Sequence, residues 1–261
     1  MYRLVLFDID STLIDAHGAG GRAIFRAIKD VYGLEGELGS YSFHGRTDPG
    51  IIQDLTAMWA AGTKPVAGDE GVQPEVIATL AAGLGCSPPE IDRLLPVCLA
   101  RYVEVLRNEV SAGFVEVLPG IRPLVHALAA DERVLLGLLT GNVEEGAHIK
   151  LEPTGLWPRF LVGAFGSDSA VRRDLPAVAV ARAQALNGRR YVGKQVVVVG
   201  DTPADIECGA HLGVRTVAVA TGRYSRRELL EFGPDHAFSD FSDWEAALAA
   251  VLSGAAPAGI R

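Results

Sequence analysis

Two aspartates set two residues apart, Asp8 and Asp10, close the short apolar run Leu4–Phe7 near the start of the chain. On an extended backbone successive side chains alternate, so both carboxylates point to one side while Ile9 points to the other. At about 3.3 Å per residue their Cα atoms stand roughly 6.6 Å apart, within reach of one small reacting group. Crowded carboxylates are costly unless a cation or a shared proton relieves them, which suits a reaction centre. The competing use is local: aspartates capping a helix that begins near Thr12 or Asp15.

Two other clusters bear on the choice. Thr140-Gly141-Asn142 follows the apolar run Leu135–Leu139 and offers a hydroxyl, a closely approaching backbone and helix-end amides that can hold phosphate oxygens. The same tripeptide is also a common turn. Gly200-Asp201-Thr202-Pro203-Ala204-Asp205 follows four valines, Val196–Val199. Its plain reading is a helix N-cap with proline in the first turn.

The elements that must position these residues follow from periodicity. Leu4–Phe7 reads as a strand buried on both faces. From Arg22 to about Asn108 the pattern is helical, with stripes at Ile24/Ile28/Val31, Ile51/Leu55/Met58, Ile77/Leu80/Ala81/Leu84 and Ile91/Leu95/Cys98/Tyr102. Ser87-Pro88 reads as a helix start, Pro96 as a kink or break, and Lys64–Pro74 as a loop. The glycines of His17–Gly21 read as a flexible joint, since no Gly-Lys-Ser/Thr follows them.

Beyond Gly113 strands and helices alternate. Helices are expected over Pro119–Ala130, Val143–Leu151, Pro176–Leu186, Ala204–Leu212, Arg226–Phe232 and Trp244–Leu252, with strands at Val134–Leu139, Phe160–Phe165, Val196–Val199 and Thr216–Ala220. This spacing implies an α/β fold with a doubly wound parallel sheet. Connections in such sheets are ordinarily about 2–6 residues. The helical block is therefore expected to be an inserted all-helical cap, residues 16–112, on a core made of residues 1–15 and 113–261. An insertion behind a strand's carboxyl end lies over the crevice where open α/β sheets bind ligands. There Asp201 is expected to approach Asp8 and Asp10, and three carboxylates on one sheet edge call for a hard divalent cation. Mg²⁺ fits oxygen ligands better than zinc does.

The three clusters, in this order at strand ends, resemble the motifs of the haloacid dehalogenase-like (HAD) hydrolases, in particular phosphoglycolate-phosphatase-like members with a helical cap. Asp8-Ile9-Asp10-Ser11-Thr12 is similar to the first motif, Thr140-Gly141-Asn142 to the second, and Gly200–Asp205 to the fourth. The resemblance implies roles. Asp8 is the nucleophile that carries an aspartyl-phosphate, and Asp10 the general acid/base. Mg²⁺ is held by the Asp8 carboxylate, the Asp10 backbone carbonyl and Asp201, with Asp205 orienting Asp201 or a metal-bound water. Thr140, Gly141 and Asn142 bind phosphoryl oxygens. The third motif, a basic residue, departs from the usual Lys-Pro. Within Val171–Pro176 Arg173 is the nearest match, and Lys150, on the helix after the second motif, is the other candidate and is favoured.

An acid at Asp10 favours phosphoryl transfer over carbon–halogen hydrolysis. The expected substrate is a small phosphorylated metabolite, a phosphoglycolate-like or sugar phosphate. Within the cap stretch His44–Asp48, Arg46 is expected to face the site and pair with a substrate carboxylate or second phosphate. Lys29 and Lys64, the cap lysines, sit in no suggestive context. The nearest rival is a β-phosphoglucomutase-like transfer. A receiver-type phosphoaspartate switch without turnover is less favoured because of the large insert and Asp10.

Composition bounds the rest. A formal net charge of −8 over 261 residues, without a Lys/Arg-rich run, disfavours nucleic acid and anionic membranes. Three scattered cysteines fit a reducing compartment. No signal-like leader and no apolar run long enough to cross a bilayer is present, so a cytoplasmic monomer or homodimer is expected.

Overall fold

The computed structural model describes residues 2–62 and 88–253. The expected Lys64–Pro74 loop, the Ile77–Leu84 stripe, most of the Ser87-Pro88 helix start and the tail after Ser253 lie outside the described residues. The core is a six-stranded parallel sheet in the order β5-β4-β1-β6-β7-β8. Its strands are β1 (Arg3–Phe7), β4 (Val134–Leu139), β5 (Val162–Ala164), β6 (Val196–Gly200), β7 (Arg215–Val219) and β8 (His236–Phe238). Two short strands, β2 (Ile14–Asp15) and β3 (Glu116–Val117), pair antiparallel apart from it.

Register places the chemistry. Phe7 lies opposite Leu138 of β4 and Val199 of β6, so β1, β4 and β6 end side by side. The Asp8 N–H then donates to the Val199 carbonyl at 2.9 Å, which extends the ladder into the first aspartate. Alternation divides the buried strand residues between two faces. Val5, Phe7, Leu136, Leu138, Val197 and Val199 pack with α4 (Ile121–Ala130) and α9 (Trp244–Leu252). Leu4, Leu6, Leu135, Leu139, Val196 and Val198 pack with α6 (Leu175–Asn187). Full burial of side chains this size stabilises by about 1.5–3 kcal/mol each, which is why near-continuous apolar runs became the central strands.

Between β2 and β3 the described chain is helical: α1 (Ala19–Tyr32), α2 (Asp48–Ala60) and α3 (Pro88–Ala112). They share a cluster that includes Ile24, Ile28, Ile52, Leu55, Cys98, Tyr102 and Leu106. Val143 and Ile149, from the segment after β4, belong to the same cluster, so the helices are packed down onto the core. Of the kink or break expected at Pro96, the break does not occur: helix α3 runs through it, with Ile91, Cys98 and Tyr102 buried on either side. The glycines of His17–Gly21 are used for close approach. A Cβ on Gly20 would lie 3.2 Å from Lys150 Nζ, and one on Gly21 would lie 3.0 Å from the Phe43 ring.

Candidate active site

Asp8 leaves β1 with 7% of its surface exposed, and Asp201 and Asp205 are buried at 1% and 2%. Asp201 follows β6. Asp205 sits in the first turn of α7 (Pro203–His211), where the Thr202 cap holds it: the Thr202 N–H and hydroxyl both donate to Asp205 Oδ2, at 3.1 and 2.6 Å. Oxygens of Asp8, Asp201 and Asp205 lie within 4.8 Å of one another. Thr12 donates to Asp201 Oδ1 at 3.2 Å, whereas the buried Asp201 Oδ2 has no hydrogen-bond partner among the described residues. Burial pushes the Asp8 carboxyl up to about 6, against the pull of Arg172. Burial and the neighbouring Asp8 and Asp205 push Asp201 well above the ordinary carboxylate range. A buried oxygen without a donor inside an all-carboxylate cluster fits a hard divalent cation.

Asp10 faces a different set of partners. Its carboxylate accepts from Lys150 Nζ at 2.9 and 2.7 Å and from Asn142 Nδ2 at 2.7 Å. Lys150 Nζ also donates to Asn142 Oδ1 at 2.6 Å, and Asn142 Nδ2 donates to Thr140 Oγ1 at 2.8 Å. Burial pushes Asp10 up, but Lys150 and Asn142 outweigh it and hold the carboxyl below its ordinary range. Two adjacent acids of one loop are therefore set apart, Asp8 raised and Asp10 lowered.

The basic residues fall otherwise than the sequence suggests. Lys150, on α5 (Glu144–Leu151), is buried and touches Asp10 and Asn142, not Asp8. Arg173 is exposed on the protein surface, which removes it as a phosphate ligand. Its neighbour Arg172 is the buried one, with Nη2 3.1 Å from Asp8 Oδ1 and 2.6 Å from Asp205 Oδ1. Residues 172–174 form a 3₁₀ turn, in which positions three apart eclipse. Arg172 thus shares the inward side with the fully buried Leu175, and that spacing is the signal by which it could have been chosen over Arg173.

A cavity of about 250 Å³ joins these groups and is lined by Asp8, Asp10, Thr140, Asn142, Lys150, Arg172 and Asp201, and from the helical side by Gly20, Ile24, Phe43, His44 and Arg46. Gly141 lies at its edge, where a Cβ would fall 1.9 Å from the Arg46 carbonyl oxygen. Arg46 reaches this wall as expected, but its guanidinium donates to Asp54 at 3.0 Å and stacks over the Tyr41 ring. Asp48, the last residue of the His44–Asp48 stretch, is buried beside the Thr140–Asn142 turn.

The HAD-hydrolase-like family model matches residues 176–244. The chain is 27% identical over 247 residues to a phosphoglycolate phosphatase of Rhodospirillum rubrum, covering 94% of this chain and 91% of that protein. Among solved structures, CbbY from Rhodobacter sphaeroides in complex with phosphate has a TM-score of 0.63 at 18% identity, covering 93% of this chain and 96% of that one. A putative β-phosphoglucomutase from Thermotoga maritima has a TM-score of 0.56 at 20% identity, covering 96% of this chain and 100% of that one. These structural likenesses carry the fold. Taken with the matched family model, the relative aligned over nearly its whole length and three acid- and hydroxyl-bearing strand ends around one cavity, they show that this chain resembles the haloacid dehalogenase-like hydrolases, a phosphoglycolate phosphatase among them.

Proposed function

We propose that this enzyme is a Mg²⁺-dependent phosphatase that hydrolyses a small phosphate monoester in two steps through Asp8. The observation that carries the reading is the contrast at one cavity between Asp8, gathered with Asp201 and Asp205, and Asp10, turned away onto Lys150. Asp8, Asp201 and Asp205, with the Asp10 backbone carbonyl, would hold the cation, which when bound screens nucleophile from phosphate and stabilises charge on the transferring group.

In the first step an Asp8 oxygen forms a bond to phosphorus as the ester P–O bond breaks, and Asp10 delivers a proton to the departing oxygen. In the second, water attacks the aspartyl-phosphate and gives its proton to Asp10, releasing inorganic phosphate and restoring both acids. The Lys150 pair keeps Asp10 ionised, the form the second step needs, so the first step requires Asp10 to gain a proton once substrate has displaced that pairing. Arg172 would neutralise Asp8 and the incoming phosphoryl oxygens together, while Thr140 and the amides of Gly141 and Asn142 hold the remaining oxygens. The helices between β2 and β3 act as the cap that encloses the leaving group, and a cavity of about 250 Å³ suits a metabolite of a few carbons.

The reading is tested by inorganic phosphate release from p-nitrophenyl phosphate and a panel of phosphorylated metabolites with and without Mg²⁺. Multiple turnovers are expected, lost on chelation and in Asp8→Asn. Conversion of a sugar phosphate to its isomer without phosphate release would favour the mutase reading, and one stoichiometric phosphorylation would favour a switch. No helix among the described residues is long and apolar enough to cross a membrane. We place the enzyme in the cytoplasm, a reading that the free, buried Cys98 and Cys208 support, and take it as a monomer or homodimer.

A further inference from the structure

Helix α5 carries Lys150 and begins directly after Asn142, yet its N-cap position is Val143, which has no side chain able to cap. The missing acceptor comes from far away in sequence: the Val143 N–H donates to Asp48 Oδ2 at 2.9 Å. The same residue's own N–H donates to the Gly141 carbonyl at 2.8 Å. Asp48 therefore grips the backbone on both sides of Asn142, through one main-chain and one side-chain bond. Its hold is itself fixed, because Thr47 caps α2 and donates its hydroxyl to the Ala170 carbonyl at 2.8 Å. Gly141 leaves no room for slack, given the 1.9 Å approach of a Cβ to the Arg46 carbonyl.

The bracketed Asn142 is the residue that donates to Asp10 and accepts from Lys150. We propose that Asp48 is a positioning residue for the acid/base: by clamping the backbone at Gly141 and Val143 it holds the Asn142 amide and the Lys150 ammonium in register with the Asp10 carboxylate. Among the described residues Asp48 makes no hydrogen bond to Asp8, Asp201 or Asp205. It stands in the cavity wall at the start of α2 and acts through Asn142. The inference rests on the phosphatase reading above.

The test uses leaving groups of different need. Departure of p-nitrophenolate requires no proton, whereas an alkoxide must be protonated as it leaves, and kcat/KM reports this first step alone. We measure kcat/KM with Mg²⁺ for p-nitrophenyl phosphate and for the fastest ester of a panel of short alkyl and sugar phosphates. Asp48→Ala is expected to lose at least about tenfold more on the alkyl ester than on the aryl ester. Asp48→Asn, which keeps an oxygen acceptor for the Val143 N–H, should stay within about threefold of the unmodified enzyme on both. Asp48→Ser, a shorter residue at home in a helix's first turn, is measured alongside as a truncation that folds if the alanine variant does not, and should show the same selective loss. Equal losses on the two esters, or an asparagine variant as impaired as the truncations, would overturn the positioning role. An unmodified enzyme that cleaves neither ester would instead sink the phosphatase reading.

Discussion

Arg172 and Arg173 are adjacent and chemically identical, and the fold gives them opposite fates. One guanidinium is buried between Asp8 and Asp205; the other is in solvent. A buried, preorganised cation aimed at developing charge is worth about 10²–10³ in rate, and a solvent-exposed charge turned out of the site almost nothing. Arg172→Ala should therefore lower kcat/KM at least about a hundredfold, with Arg173→Ala within about twofold, measured on the same phosphate ester. Comparable losses in both variants would refute the assignment. At Asp10 the prediction concerns chemistry more than binding. Asp10→Asn should cut kcat for an alkyl phosphate by about 10²–10⁴ while the inhibition constant of inorganic phosphate moves only a few-fold. Unchanged turnover would remove Asp10 from the acid/base role.

At the scale of elements, strands buried on both faces were readable because apolar runs leave them few alternatives. Val134–Leu139 and Trp244–Leu252 have the expected bounds, and the other predicted elements of the core differ by a residue or two at their ends. Strand β8 and the β2–β3 pair were not foreseen. They are two or three residues long and partly exposed, so their own sequence carries no period, and their pairing partners define them. The Thr140–Asn142 turn shows the same dependence. Its glycine is needed because the backbone at Arg46 arrives from another element. Gly141→Ala should destabilise the protein by about 1–3 kcal/mol in urea unfolding and weaken phosphate binding, since the turn or the 46–48 segment must shift. Wild-type values for both would mean that the two segments do not meet.

For the whole molecule, the buried acids link stability to pH and to the cation. Burial raises Asp8 and Asp48 to about 6 and Asp201 upward as well. A group raised in the folded state contributes stability that is full below its unfolded pKa and lost as pH climbs through the folded value. Asp10 has the opposite sign, its contribution being present above the unfolded pKa and lost only as pH falls through its lowered folded value. Without cation, then, raising pH through the window from about 4 to 6 charges Asp8 against its acidic neighbours and lowers stability. On the proposed reading Mg²⁺ binds the charged cluster, so the rise in melting temperature it causes should be larger at about pH 7.5 than at about pH 5. An equal rise at both, or none, would count against Asp8, Asp201 and Asp205 as the cation's seat.

Burial period and short-range turn chemistry are local properties of the chain, so the core strands, the helical insert and the three polar strand ends were legible before any fold was known. The sequence also marked Asp8, Asp10 and Asp201 as residues that one sheet edge would collect, since parallel neighbours end together. Which basic residue meets which acid was decided only in three dimensions. Arg172 over Arg173, Lys150 on Asp10 instead of Asp8, and Asp48 capping a helix nearly a hundred residues away all depend on side-chain direction and on contacts between distant segments. Spacing along the chain carries a trace of the first alone, in Arg172 standing three residues before the buried Leu175. The same physics governs each of them: a charge taken out of water must find its partner, and the partner is whatever the packed fold places within about 3 Å.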